Sequence, residues 1–232
     1  MLSYCLGQRK DRQPWWAEKS PTLINHSRLD GMSADLSDTT LYFGYGSNLW
    51  RQQMKQRCPT SEFLGIARLD GYRWIIYERG YANIVEMSEE DGPGADSSSP
   101  QAYEDQVWGL VYSLQSADEA RLDRNEGVPF AYTKETLDMD FFPTPGGRCP
   151  WPRGEKAKRE RMLVYINRDL TDAAEPKHEY IYRMNRGIRD ALREGVPEPY
   201  VEKVIRKFIP DVEDKTVEDL AKQQALDLED ER

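Results

Sequence analysis

Residues 41–49 read LYFGYGSNL, and this stretch decides how the chain around it folds. Residues 39–43 are two threonines followed by leucine and two aromatic residues, a composition typical of a β-strand. Gly44 and Gly46 stand at alternate positions after it and indicate a tight turn. Residues 49–58 are rich in helix formers and predict a helix. A strand, a glycine turn and a helix are therefore expected in close succession.

The glycine turn is the first candidate for chemistry. Glycine lets the backbone bend sharply and lets a ligand approach the main chain closely. The first amides of the following helix, which Ser47 or Asn48 is expected to cap, have no partner within the helix. Together with the helix dipole they favour an anion. The stretch lacks the glycines and lysine of the nucleotide-binding fingerprints, so spacing alone leaves an anion site and a plain strand-to-helix turn both open.

The remaining pattern along the chain is rich in strands in the middle and in helices at the end. Strands are predicted at residues 63–78, 81–87, 106–114, 130–142 and 162–169. Helices are predicted at residues 116–127, 178–192 and 195–209. Because strands and helices do not alternate regularly, the pattern favours an α+β fold, or a barrel with helices on it, over a doubly wound sheet.

The chain is expected to have three parts. Residues 1–38 have no sustained periodicity and are interpreted as an N-terminal arm. Within the arm, Trp15 and Trp16 are either an anchor that packs it onto the body or a lid or partner contact. Residues 39–210 form the folded body. Residues 211–232 are a charged C-terminal tail, either solvated or a marginal amphipathic helix.

Composition narrows the classes of function. The 232 residues carry 32 Lys and Arg against 41 Asp and Glu, a net charge of −9, which disfavours nucleic acid and anionic membranes as partners. No apolar run approaches the length of a bilayer span, and no secretion signal is expected. Cys5, Cys58 and Cys149 are too scattered for a disulfide framework or a CxxC metal site, so a cytoplasmic location is expected. His26 and His178 are the only histidines, which argues against a multi-histidine metal site.

Glu126 is the second candidate for chemistry. It lies in the run DRNEGVPFAY at residues 123–132, at the end of a short predicted helix. Gly127 and Pro129 follow it on the turn into a strand. A carboxylate held at such a corner can be partly desolvated, which suits it to act as a general base. The alternative is an ordinary surface acid, because the chain has 41 acidic residues.

An ordered set of motifs resembles the γ-glutamylcyclotransferase family. Besides residues 41–49, the set includes QVWGLVYSL at 106–114, EGVPFAY at 126–132, LVYIN at 163–167 and EGVPEPYVEKV at 194–204. The resemblance covers roughly residues 40–210. The body at 39–210 therefore resembles the catalytic domain of that family, and the arm and the tail fall outside the match.

The resemblance implies a fold, a reaction and a set of roles. The fold is a small mixed β-barrel with helices packed around it and a pocket at the barrel mouth. In the reaction, the α-amine of the substrate attacks its own γ-glutamyl amide and releases 5-oxoproline and a free amine or amino acid. Glu126 falls on the family's catalytic glutamate, acting as base and then as acid. Tyr165 falls on a tyrosine that contacts the γ-glutamyl group, although it could also be a core residue. The substrate-binding loop of the family falls on Tyr42, Phe43, Gly44, Tyr45, Gly46 and Ser47.

The resemblance leaves the leaving group open. It implies a small γ-glutamyl substrate, no cofactor and no metal, and it allows a homodimer. Glutathione, its conjugates, γ-glutamyl amino acids and γ-glutamylamines all remain candidates, because the motifs concern the γ-glutamyl half only. The insertions at 88–105 and 143–161 are expected to border the pocket. The alternatives are a non-catalytic module that binds γ-glutamyl groups or anions, and a γ-glutamylamine cyclotransferase of the same fold.

Overall fold

The computed structural model describes residues 39–88, 103–144 and 157–212. The chain divides into two units, Met1–Ser37 and Asp38–Arg232, and all described residues belong to the second. The arm and most of the tail and of the two insertions lie outside the described residues, so the predicted domain boundaries stay a prediction. No helix in the described ranges is long and apolar enough to cross a membrane.

The described ranges contain strands in the order that the sequence pattern predicts, with helices between and after them. The strands are β1 (Thr39–Gly44), β2 (Glu62–Asp70), β3 (Tyr72–Ile76), β4 (Ala82–Glu86), β5 (Gln106–Gln115), β6 (Thr133–Pro143) and β7 (Lys158–Ile166). The α-helices are α1 (Arg51–Arg57), α2 (Ser116–Asn125), α3 (His178–Glu194) and α4 (Glu198–Lys203). Two short 3₁₀ helices span Ser47–Leu49 and Ile205–Lys207.

Five strands close into a mixed barrel in the order β1, β5, β2, β6, β7. Four neighbouring pairs are antiparallel, and a parallel pairing of β1 with β7, with Tyr42 opposite Leu163, closes the ring. β3 and β4 form a separate two-stranded sheet. The predicted α+β class and mixed barrel with helices around it are confirmed.

The pairing of β1 with β7 decides where a pocket can form. Because these two strands are parallel, both end at the same end of the barrel. β6 is antiparallel to β7 and begins there, with Thr133 opposite Ile166. The glycine turn after β1, the end of β7 and the corner that leads into β6 therefore meet at one barrel mouth.

Helix α3 packs behind the glycine turn. Tyr180, Met184, Ile188 and Ala191 are buried at helical spacing along one face. Removing such apolar side chains from water contributes about 1.5–3 kcal/mol each. At Gly187 the helix comes so near the turn that an added Cβ would lie 2.8 Å from Leu49 Cβ. The tertiary packing of α3 thus holds the turn against the barrel.

The predicted start and cap of the first helix are wrong. The turn continues into a 3₁₀ helix at Ser47–Leu49, and α1 begins at Arg51, with Trp50 at its N-cap and no side-chain cap. The side chains of Ser47 and Asn48 bond to other partners at the barrel mouth instead. Since α1 starts beyond the turn, the amides of the turn are not the first amides of an α-helix.

The start of β7 also differs from the prediction. Lys158–Arg161 belong to this strand rather than to a turn-rich excursion. Pairing with β6 places Arg159 opposite Asp140, and their side chains form an ion pair at 3.2 Å. A cross-strand charge pair of this kind stabilises a strand whose first residues are basic. Local composition does not reveal the partner on β6, so the sequence alone does not predict this start of the strand.

Candidate active site

A narrow pocket opens at the barrel mouth. Its walls come from β1 and the turn after it, from α1, from the start of β4, from the corner after α2, from the segment before β6, and from β7 and α3. The lining residues are Tyr42, Tyr45, Gly46, Ser47, Asn48, Arg57, Ala82, Glu126, Tyr132, Tyr165 and Tyr180. The pocket is therefore a product of the tertiary fold, with no single element supplying most of it.

Glu126 sits at the corner that follows α2. Its amide donates to the carbonyl of Leu122 at 2.9 Å and closes the helix. Gly127 takes a left-handed conformation with φ of 64°, which glycine adopts at no steric cost, and the chain turns away towards β6. The half-buried carboxylate of Glu126 is left facing the pocket, where Asn48 Nδ2 donates to its Oε1 at 3.0 Å.

The glycine turn is held by the hydroxyl of Tyr180. This oxygen accepts the amide N–H of Ser47 at 3.1 Å and that of Ala82 at 3.2 Å. An added Cβ on Gly46 would lie 2.8 Å from the same oxygen, so only glycine fits at that position without displacing it. The amide N–H of Ser47 is therefore not available to an anion, because it already donates a hydrogen bond to the hydroxyl of Tyr180.

The two tyrosines of the turn region are buried neutral groups. Burial raises the pKa of Tyr42 and of Tyr45 well above the ordinary value, and the negative charge of Glu126 raises both further. Tyr45 donates to the carbonyl of Tyr165 at 2.6 Å, and its own carbonyl accepts from Trp74 Nε1 at 3.0 Å. Both hydroxyls therefore keep their protons throughout the physiological range.

Tyr165 lines the pocket, and its hydroxyl has a protein partner. The hydroxyl donates to Asp123 Oδ1 at 2.7 Å. Burial raises the pKa of Tyr165, and the hydrogen bond and charge of Asp123 raise it further. The ring packs edge-on against Tyr42 at 5.7 Å between centroids. The family resemblance implies that Tyr165 contacts the γ-glutamyl group. The ring of Tyr165 can make such a contact, whereas its hydroxyl is already bonded to Asp123.

Two residues of the predicted loop do not line the pocket. Phe43 is fully buried in the core, because successive side chains of β1 point to opposite faces. Gly44 is not among the lining residues, and an added Cβ there would be 3.3 Å from Asn48 Cβ. The other predicted residues are brought together in the lining, namely Tyr42, Tyr45, Gly46, Ser47, Glu126 and Tyr165.

Five lining residues were not among the predicted site residues. Asn48 stands next to Ser47 in the same motif, so its polar side chain was a usable signal. Tyr132 lies six positions after Glu126 in a quoted motif, and its hydroxyl donates to the carbonyl of Ala82 at 2.8 Å. Local sequence gave no indication of the other three residues, because only the fold brings them to the barrel mouth. They are Arg57, Ala82 and Tyr180.

The pocket combines one carboxylate with one cationic side chain among its described lining residues. Arg57 donates through Nη1 to Asn48 Oδ1 at 3.4 Å, while Asn48 Nδ2 contacts Glu126. The two charges therefore lie at opposite ends of one side-chain amide. Across the described ranges, no group of three or more His, Cys, Asp and Glu side chains is placed to hold a metal ion.

A family profile matches the part of the sequence that forms this pocket. The profile of the family described as "Gamma-glutamyl cyclotransferase, AIG2-like" matches residues 42–183, more than half of the chain. The chain belongs to this family. The matched range runs from the first strand of the barrel to α3 and includes every residue of the pocket lining.

Proteins that resemble this chain in sequence or in structure bear the name of the same family. The curated gamma-glutamylcyclotransferase of Mus musculus is 30% identical over 102 residues, 44% of this chain and 52% of that protein. That of Homo sapiens is 30% identical over 91 residues, 39% of this chain and 46% of that protein. The matched segment thus spans about half the length of these relatives. A solved structure named gamma-glutamyl cyclotransferase superposes with a TM-score of 0.56 at 22% identity, covering 80% of this chain and 99% of that one, and shows the shared fold.

Proposed function

We propose that this chain is a γ-glutamylcyclotransferase, in which Glu126 moves the protons of the reaction. The α-amine of a γ-glutamyl substrate attacks its own γ-carbonyl carbon, the amide C–N bond breaks, and 5-oxoproline and a free amine or amino acid leave. The observation that carries the proposal is the carboxylate of Glu126 in a tyrosine-lined pocket next to the glycine turn. Membership of the family supports the same reaction class.

One carboxylate is sufficient for the proton balance. The α-amine is protonated at neutral pH and becomes a nucleophile when Glu126 accepts one of its protons. The protonated carboxyl passes this proton to the leaving nitrogen as the amide C–N bond breaks, and the regenerated carboxylate accepts the second proton that the attacking nitrogen must lose to become the lactam N–H. That second proton leaves with the product amine, which is released as an ammonium, so the carboxylate is regenerated and no net proton is consumed. Because the nucleophile is tethered to the electrophile, the protein's main task is to hold the substrate in its folded conformation, which can lower the barrier by several kcal/mol.

The charges of the pocket complement the head of such a substrate. A γ-glutamyl group carries an ammonium and a carboxylate on the same carbon. Glu126 supplies a negative charge for the ammonium, and Arg57, which is 4% exposed, supplies a positive charge in the same lining. Tyr42 stays protonated and can donate a hydrogen bond to the carboxylate or to the oxyanion that develops on the γ-carbonyl, whereas the proton of Tyr45 is held by the carbonyl of Tyr165. This arrangement favours a zwitterionic substrate over a simple anion.

The test is a 5-oxoproline assay on the full chain with a panel of substrates. The panel contains γ-glutamyl-alanine, glutathione, a glutathione S-conjugate and γ-glutamyl-ε-lysine. Glu126→Gln removes the base with little change of shape and is expected to lower turnover by about 100-fold or more. Glu119→Gln is the matched control, because Glu119 lies on α2 and bonds to Thr40 and Lys134 outside the pocket lining.

The outcomes separate the candidate functions. Product from one panel member that is lost in Glu126→Gln and kept in Glu119→Gln supports the proposal and names the leaving group. Wild-type activity in Glu126→Gln contradicts the role of this residue. If no panel member yields product while γ-glutamyl ligands still raise the melting temperature, the chain is a non-catalytic γ-glutamyl-binding module.

A further inference from the structure

Asn48 links the proposed base to a tyrosine of the pocket. Its side chain is buried at the barrel mouth, 4% exposed, on the 3₁₀ helix that follows the glycine turn. Nδ2 donates to Glu126 Oε1 at 3.0 Å and to the hydroxyl of Tyr42 at 2.9 Å. Both N–H bonds of the amide are therefore used, one on the carboxylate and one on the phenol oxygen.

The orientation of this amide is imposed from the opposite side. Asn48 Oδ1 accepts from Gln53 Nε2 at 3.1 Å and from Arg57 Nη1 at 3.4 Å. A guanidinium can only donate hydrogen bonds, so the oxygen of Asn48 must face α1. The reversed amide would place Oδ1 against the carboxylate of Glu126 and its own donors against Arg57. The main chain is held as well, since Tyr112 donates to the carbonyl of Asn48 at 3.2 Å.

This orientation determines the direction of a proton on Tyr42. The phenol oxygen accepts a hydrogen bond from Asn48, so its own proton points away from that amide. The part of the chain that the structure describes shows no acceptor for this proton, and the phenol lines the pocket. Burial and the charge of Glu126 keep the phenol protonated. A substrate oxygen in the pocket is the natural acceptor.

We propose that Asn48 is a positioning residue that holds the carboxylate of Glu126 through Oε1 and turns the Tyr42 hydroxyl into a hydrogen-bond donor toward the substrate. The proposal rests on the proposed function, because it assigns Asn48 a part in the same reaction. It predicts two separable effects. One concerns the protonation of the base, and the other concerns the donor that stabilises the substrate oxygen.

Asn48→Asp is the decisive variant, because it keeps the shape and replaces two donors by a carboxylate. Two carboxylates about 3 Å apart disfavour the ionisation of both. The acidic limb of the pH profile of kcat is therefore expected to move up by about one pH unit or more. The phenol of Tyr42 would donate to the new carboxylate instead of the substrate, so kcat at the optimum is also expected to fall by about tenfold or more.

Tyr42→Phe tests the donor separately. It removes the hydroxyl and leaves the contact between Asn48 and Glu126, so kcat is expected to fall by about tenfold or more with an unshifted acidic limb. Asn185→Asp is the matched control for a buried amide-to-acid change. Asn185 is buried on α3, donates to the carbonyls of Pro210 and Val212, and is not among the pocket lining. We expect it to lose stability and to keep the wild-type pH profile.

The other titratable side chains that line the pocket with Glu126 are not expected to shift the acidic limb of the pH profile of kcat. The titratable and charged side chains that line the pocket with Glu126 are Tyr42, Tyr45, Arg57, Tyr132, Tyr165 and Tyr180. Phenols and guanidinium groups do not ordinarily titrate between pH 4 and about 9. Two further titratable side chains lie near the base. Burial raises the pKa of the Cys58 thiol to about 12, so this group stays neutral over the measured range. Asp123 accepts from Tyr165, and the variant Asp123→Asn identifies its contribution to the acidic limb.

Wild-type turnover is measured first, so the two proposals can fail separately. If the wild-type chain makes no 5-oxoproline, the proposed function is contradicted and this inference is contradicted with it. If the wild type is active, a folded Asn48→Asp with the wild-type acidic limb, or Tyr42→Phe with the wild-type kcat, overturns the inference alone. Should Asn48→Asp not fold by circular dichroism, Asn48→Ala replaces it, and a wild-type kcat in that variant overturns the inference.

Discussion

Alanine at position 46 is expected to destabilise the protein by about 2–4 kcal/mol through a contact with one oxygen atom. An added Cβ at Gly46 would lie 2.8 Å from the hydroxyl of Tyr180 and 3.2 Å from Ala82 Cβ. The first distance is too short for a carbon and an oxygen, so the hydroxyl must move. That oxygen accepts the amides of Ser47 and Ala82 at 3.1 and 3.2 Å. Moving it leaves both buried donors without an acceptor, at a cost of about 1–2 kcal/mol for each.

The same reasoning predicts that Gly46→Ala and Tyr180→Phe are not additive. Tyr180→Phe removes the acceptor directly and should also destabilise the protein by about 2–4 kcal/mol. In the double variant the clash with the hydroxyl is gone and the two amides have already lost their acceptor. Its free energy of unfolding should therefore fall about as much as that of Tyr180→Phe alone, which leaves an interaction energy of about 2 kcal/mol or more.

Equilibrium urea unfolding followed by tryptophan fluorescence measures this cycle. The midpoints of the wild type, the two single variants and the double variant are compared at unchanged m-values, because a change in m would signal a different unfolded or native state. If the effects of the single variants add within about 0.5 kcal/mol, the close approach of Gly46 to Tyr180 is not the cause of the destabilisation, and the explanation of this glycine is wrong.

Two further predictions concern the wall of the pocket and the surface of the barrel. Tyr165→Phe removes a hydroxyl that donates to Asp123 at 2.7 Å, so it should lower the free energy of unfolding by about 1.5–3 kcal/mol. Because the hydroxyl is bonded to Asp123, kcat/KM in the 5-oxoproline assay should stay within about threefold of the wild type. A loss of kcat/KM beyond about tenfold would instead show that the hydroxyl contacts the substrate. The hydrogen bonds and charge of Arg168 hold the pKa of Glu135 below its usual 4.5, so this pair stabilises the fold above that pH and its contribution is lost as the pH falls through the lowered value. Glu135→Gln should therefore reduce stability at pH 7 and flatten its decline below pH 4.5, which urea midpoints at several pH values can measure.

The existence and order of most strands could be predicted from the sequence, because runs of β-branched and aromatic residues act locally. The turn at residues 44–46 was also visible, since glycine punctuates structure by itself. The cap of the first helix could not be predicted. Asn48 is a good capping residue in isolation, but here its side chain bonds to Tyr42 and Glu126, and those bonds replace the local one.

For the candidate site, the sequence indicated several of the residues, and only the fold showed which of them lie next to one another. The ordered motifs pointed to Glu126 and to the turn, and both are found in one pocket. The same motifs included Phe43, which strand alternation turns into the core. They gave no hint of Tyr180, whose hydroxyl holds the turn from α3. A residue more than a hundred positions away enters a site only through packing.

By itself the sequence determined the local elements, the α+β class and the polar, acidic surface, because propensity, periodicity and charge act between neighbours in the chain. Only the tertiary structure decided which strands pair and which groups meet. The parallel pairing of β1 with β7 brings the glycine turn, the corner at Glu126 and the end of β7 to one barrel mouth. Such pairings depend on long-range burial and on hydrogen bonds between distant segments, and these are satisfied only when the whole barrel has closed.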